Sequence, residues 1–149
     1  MSPTGAVRPA LRSDAADVWA LLEGLVLGGP PERALFDRTF PTLTADDAVA
    51  LLVHEGGGGE VDGYVHALTR PSLYANGPVC WVSELMVAPG ARRRGTGAAL
   101  IRAVEEWANL RGCREVTLAT SRAREFYEAI GYDATAQYLK KRMPQVPGT

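Results

Sequence analysis

The segment VSELMVAPGARRRGTGAAL (82–100) places an acidic residue, three consecutive arginines and two glycines ahead of an alanine-rich apolar stretch. A strand that stops, a loop holding Gly95 and Gly97, and a helix that starts at once together suit an anion. The first N–H groups of a helix lack intrahelical acceptors, the helix dipole adds positive potential, and glycines let a phosphate approach the backbone. Arg92, Arg93 and Arg94 add charge at the same place. The spacing excludes common nucleotide loops. There is no GxxxxGK[ST], and Gly95-Thr96-Gly97-Ala98-Ala99-Leu100 does not complete GxGxxG. An arginine run can also be a plain solvated face, and that reading stands for whichever of Arg93 and Arg94 points away.

Other reactive residues are sparse. His54 and His66 fall in two β-rich runs with no partner that would define a metal site or a triad, so structural and pocket-lining roles stay equally open. Cys80 and Cys113 form no CxxC or Cys/His cluster, which argues against zinc or a disulfide framework and for a reduced, cytoplasmic chain. No G-x-S-x-G elbow occurs. The glycines of HEGGGGE read as a linker, because a strand follows them and not a helix.

Length and composition bound the molecule that must position these groups. A chain of 149 residues, 46% hydrophobic and 22% charged, is sized for one globular domain, 1–149. A net charge of -1 leaves no whole-molecule field to attract nucleic acid. Glu23 interrupts the most apolar N-terminal stretch, and no run approaches membrane-spanning length.

The pattern predicts a strand at AVRPAL (6–11), then a helix N-capped by Ser13 with Val18, Leu21, Leu22 and Leu25 on one face, ended by GGPP (28–31). A helix over 32–40 should stop at Pro41, with one more helical turn over 44–50. A hairpin follows across AVALLVHEGGGGEVDGYVHALTR, then the turn PSLYANG (71–77) and a strand VCWVSELMV (79–87). A helix over 96–110 is closed by Gly112, after which EVTLAT (115–120), SRAREFYEAIG (121–131) and ATAQYLKKRM (134–143) read as strand, helix and strand. Trp19, Trp81 and Trp107 are expected in the core or an interface.

Arg92-Arg93-Arg94-Gly95-Thr96-Gly97 matches [R/Q]-x-x-G-x-[G/A], and AREFYEAIGY (123–132) matches A-x-x-F-Y-x-x-x-G-[F/Y] about thirty residues on. With the elements between them in order, 79–143 resembles the GNAT superfamily of N-acetyltransferases, while the N-terminal part agrees in element order only. The resemblance implies an α/β domain with a central mixed, mostly antiparallel sheet of about six to seven strands, splayed at the cofactor site, and about four helices. It implies acetyl-coenzyme A as co-substrate and no metal. The backbone of Leu85, Met86 and Val87 would pair with the pantetheine arm, and the N–H groups of Arg93, Arg94, Gly95, Thr96, Gly97 and Ala98 would hold the pyrophosphate beside Arg92.

Tyr127 takes the family position that protonates the departing thiolate, with Phe126 beside it as core. Thr120 stands where the family often has a cofactor-contacting Asn, and the connection between 115–120 and the next helix is short. Glu84 is the acidic residue near where the acetyl group would lie, as base, amine ligand or solvated side chain. Simple alternation puts it with Val82 and Met86, opposite Ser83, Leu85 and Val87, unless a bulge re-aims it.

The implied reaction is acetyl transfer to a primary amine of a small molecule in a ternary complex. A protein N-terminus or lysine is the alternative acceptor, and a non-catalytic acyl-coenzyme A binder the alternative class. No nucleic acid or membrane partner is expected, and a homodimer is allowed for. The acceptor pocket should be lined by 30–44 and by LTRPSLYANG (68–77).

Overall fold

The computed structural model describes residues 5–24 and 31–145. These fall into two compact units, within Met1–Leu118 and Ala119–Thr149. The first holds β1 (Gly5–Pro9), α1 (Ala15–Glu23), α2 (Arg33–Thr44), β2 (Val49–Gly56), β3 (Val61–Arg70), β4 (Val79–Val87), α3 (Thr96–Leu110) and β5 (Val116–Leu118). The second holds α4 (Arg124–Ala129).

One sheet runs in the order β1-β2-β3-β4-β5. The pairs are antiparallel through β4, and β4 pairs with β5 in parallel. Long apolar stretches in β2, β3 and β4 reflect burial on both faces. On one face Leu51, Val53, Tyr64 and Met86 pack with Val18, Leu21 and Phe40 of α1 and α2. On the other, Val65, Ala67 and Cys80 are fully buried on the side of α3, whose Leu100, Ile101 and Val104 recur at helical spacing.

The described residues form five strands, not six to seven. Residues 134–143 are irregular. Their alternation fails because Tyr138 and Leu139 are adjacent and both exposed, and Lys140-Lys141-Arg142 then fill both faces with charge.

Ser13 does not cap α1. It sits inside a 3-10 turn, Arg12–Asp14, because the buried Asp14 carboxylate accepts from the Leu11 N–H at 2.7 Å and from both terminal nitrogens of Arg8 at 2.8 and 3.0 Å. Leu25, Gly28, Gly29 and Pro30 lie outside the described residues. α2 runs through Pro41 rather than stopping there. A proline inside a helix costs about 3 kcal/mol, and burial of Phe40, with half-buried Leu43 packed beside it, works against that cost. Residues 44–50 accordingly close α2, turn and enter β2.

Each tryptophan is half-buried with an arginine over its ring, Arg33 on Trp19, Arg70 on Trp81 and Arg111 on Trp107, so none is a core residue. The glycine stretch after β2 closes on itself, Gly56 N–H bonding the Glu60 carbonyl at 2.7 Å, as a linker would. A bulge between His54 and Glu55 leaves Asp62 as the extra residue, and His54 Nδ1 lies 2.6 Å from its Oδ1.

Candidate active site

The decisive local feature is a second bulge, in the β3/β4 ladder. Tyr64 faces Met86, Val65 faces Leu85 and His66 faces Glu84, but Ala67 faces Val82, which leaves Ser83 as an extra residue on β4. The period-2 alternation therefore resets. Glu84 shares a face with Met86, Tyr64 and His66 but not with Val82, which simple alternation had assigned to it. In a regular ladder Ser83 would face His66, and Glu84 would fall opposite Val65, toward α3.

The reset brings three polar side chains together. Tyr64 Oη donates to Glu84 Oε1 at 2.8 Å, and His66 Nδ1 lies 3.4 Å from Glu84 Oε2. Hydrogen bonding from His66 and then from Tyr64 holds the Glu84 carboxyl below the usual carboxylate range, against burial, which pushes it up. Glu84 is thus an anion at neutral pH. Burial, and then the Glu84 charge, push the Tyr64 phenol far above its ordinary value, so it remains a donor. Among the described residues His66 Nε2 is buried with no hydrogen-bond partner. In the neutral tautomer whose Nδ1–H is turned to Glu84, Nε2 would carry a lone pair.

Tyr64, His66 and Glu84 line a cavity of about 350 Å³ under α1 and α2. Glu32 and Thr39 are its other polar lining residues, and the remainder are aliphatic, aromatic or proline. Residues 31–43 contribute as expected, but none of 68–77 does. Leu73 and Tyr74 at that tip are fully exposed. Sequence reasoning missed Tyr64 and left His66 undecided. The signal available was their i, i+2 spacing, which puts both on one face of β3.

β4 leads from this cavity into the loop. β5 pairs only with Cys80, Trp81 and Val82, so among the described residues β4 runs on past it, with Leu85, Met86 and Val87 beyond the last paired residue. The resemblance implied a splay of the sheet at this edge. Arg92 Nε donates to the Val87 carbonyl at 3.3 Å, tying the loop to the strand end. Arg93 and Gly95 adopt left-handed backbone, φ 64° and 82°. Gly95 is the N-cap of α3 and offers no side-chain cap. The first intrahelical bond is Ala99 N–H to the Gly95 carbonyl, 2.9 Å, so the N–H groups of Thr96, Gly97 and Ala98 precede it.

In the second unit, Phe126, expected in the core, is half-buried, and Tyr127 is buried. Position decides it: the Tyr127 ring meets Phe126 on one side and Tyr132 on the other, with centroids at 4.9 and 5.8 Å. Burial raises the Tyr127 pKa. Thr120 Oγ1 accepts from the Ala123 N–H at 3.0 Å, so its acceptor side opens α4 while its O–H can still donate. The structure thus groups Glu84 with Tyr64 and His66, and Arg92 to Ala98 at the start of α3, in the first unit. Tyr127 and Thr120 belong to the second.

Comparison with known proteins agrees with this geometry. The profile described as the acetyltransferase (GNAT) family matches residues 18–132. The aminoglycoside N(6′)-acetyltransferase type 1 of Stenotrophomonas maltophilia is 31% identical over 149 residues, 95% of this chain and 94% of the relative. The Klebsiella aerogenes protein of the same name is 35% identical over 103 residues, 64% of this chain and 66%, just under two thirds, of its own length. The solved structure of AAC(6′)-Iy with the bisubstrate analog CoA-S-monomethyl-acetylneamine aligns with a TM-score of 0.80 at 25% identity, covering 95% of this chain and 99% of that one. Among the described residues no helix is long and apolar enough to cross a membrane. With a single mixed sheet and four helices among the described residues, and a family match over most of its length, the chain belongs to the GNAT family of acetyl-coenzyme A-dependent acyltransferases.

Proposed function

We propose that the protein transfers an acetyl group from acetyl-coenzyme A to the primary amine of a small molecule by direct attack in a ternary complex. The observation that carries this reading is that β4 serves both partners, since Glu84 lines the cavity under α1 and α2 and the strand then runs into an uncapped helix start. Left-handed backbone at Arg93 and Gly95 and the free first turn of α3 fit a pyrophosphate, which the N–H groups of Arg93 to Ala98 would hold. The strand edge at Leu85, Met86 and Val87 would hold the pantetheine arm, and the Thr120 hydroxyl would add a contact. When bound, acetyl-coenzyme A supplies the activated acetyl thioester.

Glu84 draws the ammonium into the cavity and takes its proton, directly or through water. A β4 N–H polarises the acetyl carbonyl. Tyr127, kept protonated by burial, donates to the departing thiolate. On this reading 1–149 works as a single acetyltransferase domain in the cytoplasm. The names of the relatives favour an amino sugar as a second reading of the acceptor. Coenzyme A release from acetyl-coenzyme A with a panel of primary amines tests the activity. Amine-dependent release is expected, and no binding of acetyl-coenzyme A at high concentration would sink the reading. Binding without turnover would leave the non-catalytic binder.

A further inference from the structure

We infer that the acceptor is a small monoamine with an aliphatic or aromatic body, not a polycationic amino sugar. This rests on the acetyltransferase reading of the same cavity. At about 350 Å³ the cavity stands near the lower end of ligand sites. Its walls include Val18, Leu22, Phe36, Phe40, Leu43 and Leu51, which can neither pair nor hydrate a charge. An ammonium pressed against them keeps its desolvation cost, whereas a hydrocarbon body gains from the same contact.

Of the two described lining carboxylates Glu32 is exposed to solvent, and the half-buried Glu84 is the one set to meet a cation inside the cavity. Among the described lining residues the carboxylates are Glu32 and Glu84, and Glu84 already accepts from Tyr64 and faces His66. His66 Nε2, without a hydrogen-bond partner among the described residues, supplies an acceptor beside Glu84 in the tautomer that donates Nδ1–H to that carboxylate. A single ammonium, with one charge and three N–H donors, uses that pair fully. An amino sugar brings more ammoniums than Glu84 and Glu32 can pair among the described lining residues.

The test compares kcat/KM of the full chain for 4-phenylbutylamine and for neamine. The expected result is at least a tenfold preference for 4-phenylbutylamine. Leu35 lines the cavity and is 44% exposed, so Leu35→Glu should fold. It should narrow the preference at least tenfold by raising KM for the apolar amine. Equal or better turnover of neamine overturns the inference. Calorimetric titration of each amine gives a readout independent of turnover. If acetyl-coenzyme A fails to bind, the acetyltransferase reading fails, and the cavity is still judged by which amine binds. Binding of neamine alone, or of neither amine, overturns the inference too.

Discussion

The Glu84 end of β4 and the Gly95 turn adjoin in sequence and are made of different material. Around Glu84 the working groups are side chains, set by a bulge at Ser83 and by hydrogen bonds from Tyr64 and His66. Around Gly95 they are backbone N–H groups, set by two left-handed residues and an uncapped helix start. Substitution should therefore act through opposite routes. Chemistry fails at the first when an atom changes, whereas geometry fails at the second when φ changes.

The sharpest test of that division is Glu84→Gln. The amide keeps the acceptor for Tyr64 but has no charge and no basicity, so kcat/KM should fall by about 10²- to 10⁴-fold. Acetyl-coenzyme A affinity, read by calorimetry, should move less than about threefold because the anion loop does not depend on that carboxylate. A comparable loss of cofactor affinity would break the comparison.

Gly95→Ala probes the other side. A Cβ at Gly95 meets nothing within 4 Å, so the change imposes conformational strain and no clash. Left-handed backbone costs an alanine about 1–2 kcal/mol, and if the loop relaxes to avoid it, acetyl-coenzyme A should bind roughly tenfold more weakly. The KM for the amine, measured at saturating cofactor, should stay put.

The pH dependence separates the regions further. Because the folded pKa of Glu84 is depressed, its carboxylate stays ionised above the unfolded value, and its contribution is lost only as pH falls through the lower folded value. The acid limb of kcat/KM should lie below the ordinary glutamate value of about 4.3. Tyr64→Phe removes one hydrogen-bond donor to the carboxylate and should move that limb up. The affinity for acetyl-coenzyme A should show no such limb.

The same contrast explains what could be read from the chain. The backbone-built loop was legible because glycines at fixed spacing are themselves the motif, and Arg92, Gly95 and Gly97 stand where it requires them. The side-chain site was not, because its geometry depends on one unpaired residue, Ser83, in a ladder whose partner strand cannot be aligned from composition. A period-2 count carried past Ser83 puts Glu84 with Val82, and nothing local in VSELMV marks the slip. Pro41 misled in the same way, since packing of Phe40 and Leu43 is tertiary and outweighs a local stop signal. The hairpin and the strand after it were recoverable because turn residues and long apolar runs are local.

The smallest effect is expected at Arg93, the counterpart of Gly95 with a side chain in a glycine-like conformation. Its φ of 64° carries the left-handed penalty already in the native protein. Arg93→Gly removes that strain of about 1–2 kcal/mol but enlarges the unfolded ensemble by about 0.4–1 kcal/mol, for a net gain of roughly 0.5 kcal/mol. For a chain of this length the melting temperature should rise by about 1–2 °C. If the N–H groups, and not the guanidinium, hold the pyrophosphate, acetyl-coenzyme A affinity should stay within about threefold at ordinary ionic strength, where an exposed charge is largely screened. A large loss of affinity would instead make the arginine side chain the working group, and the loop would then resemble the Glu84 end in kind.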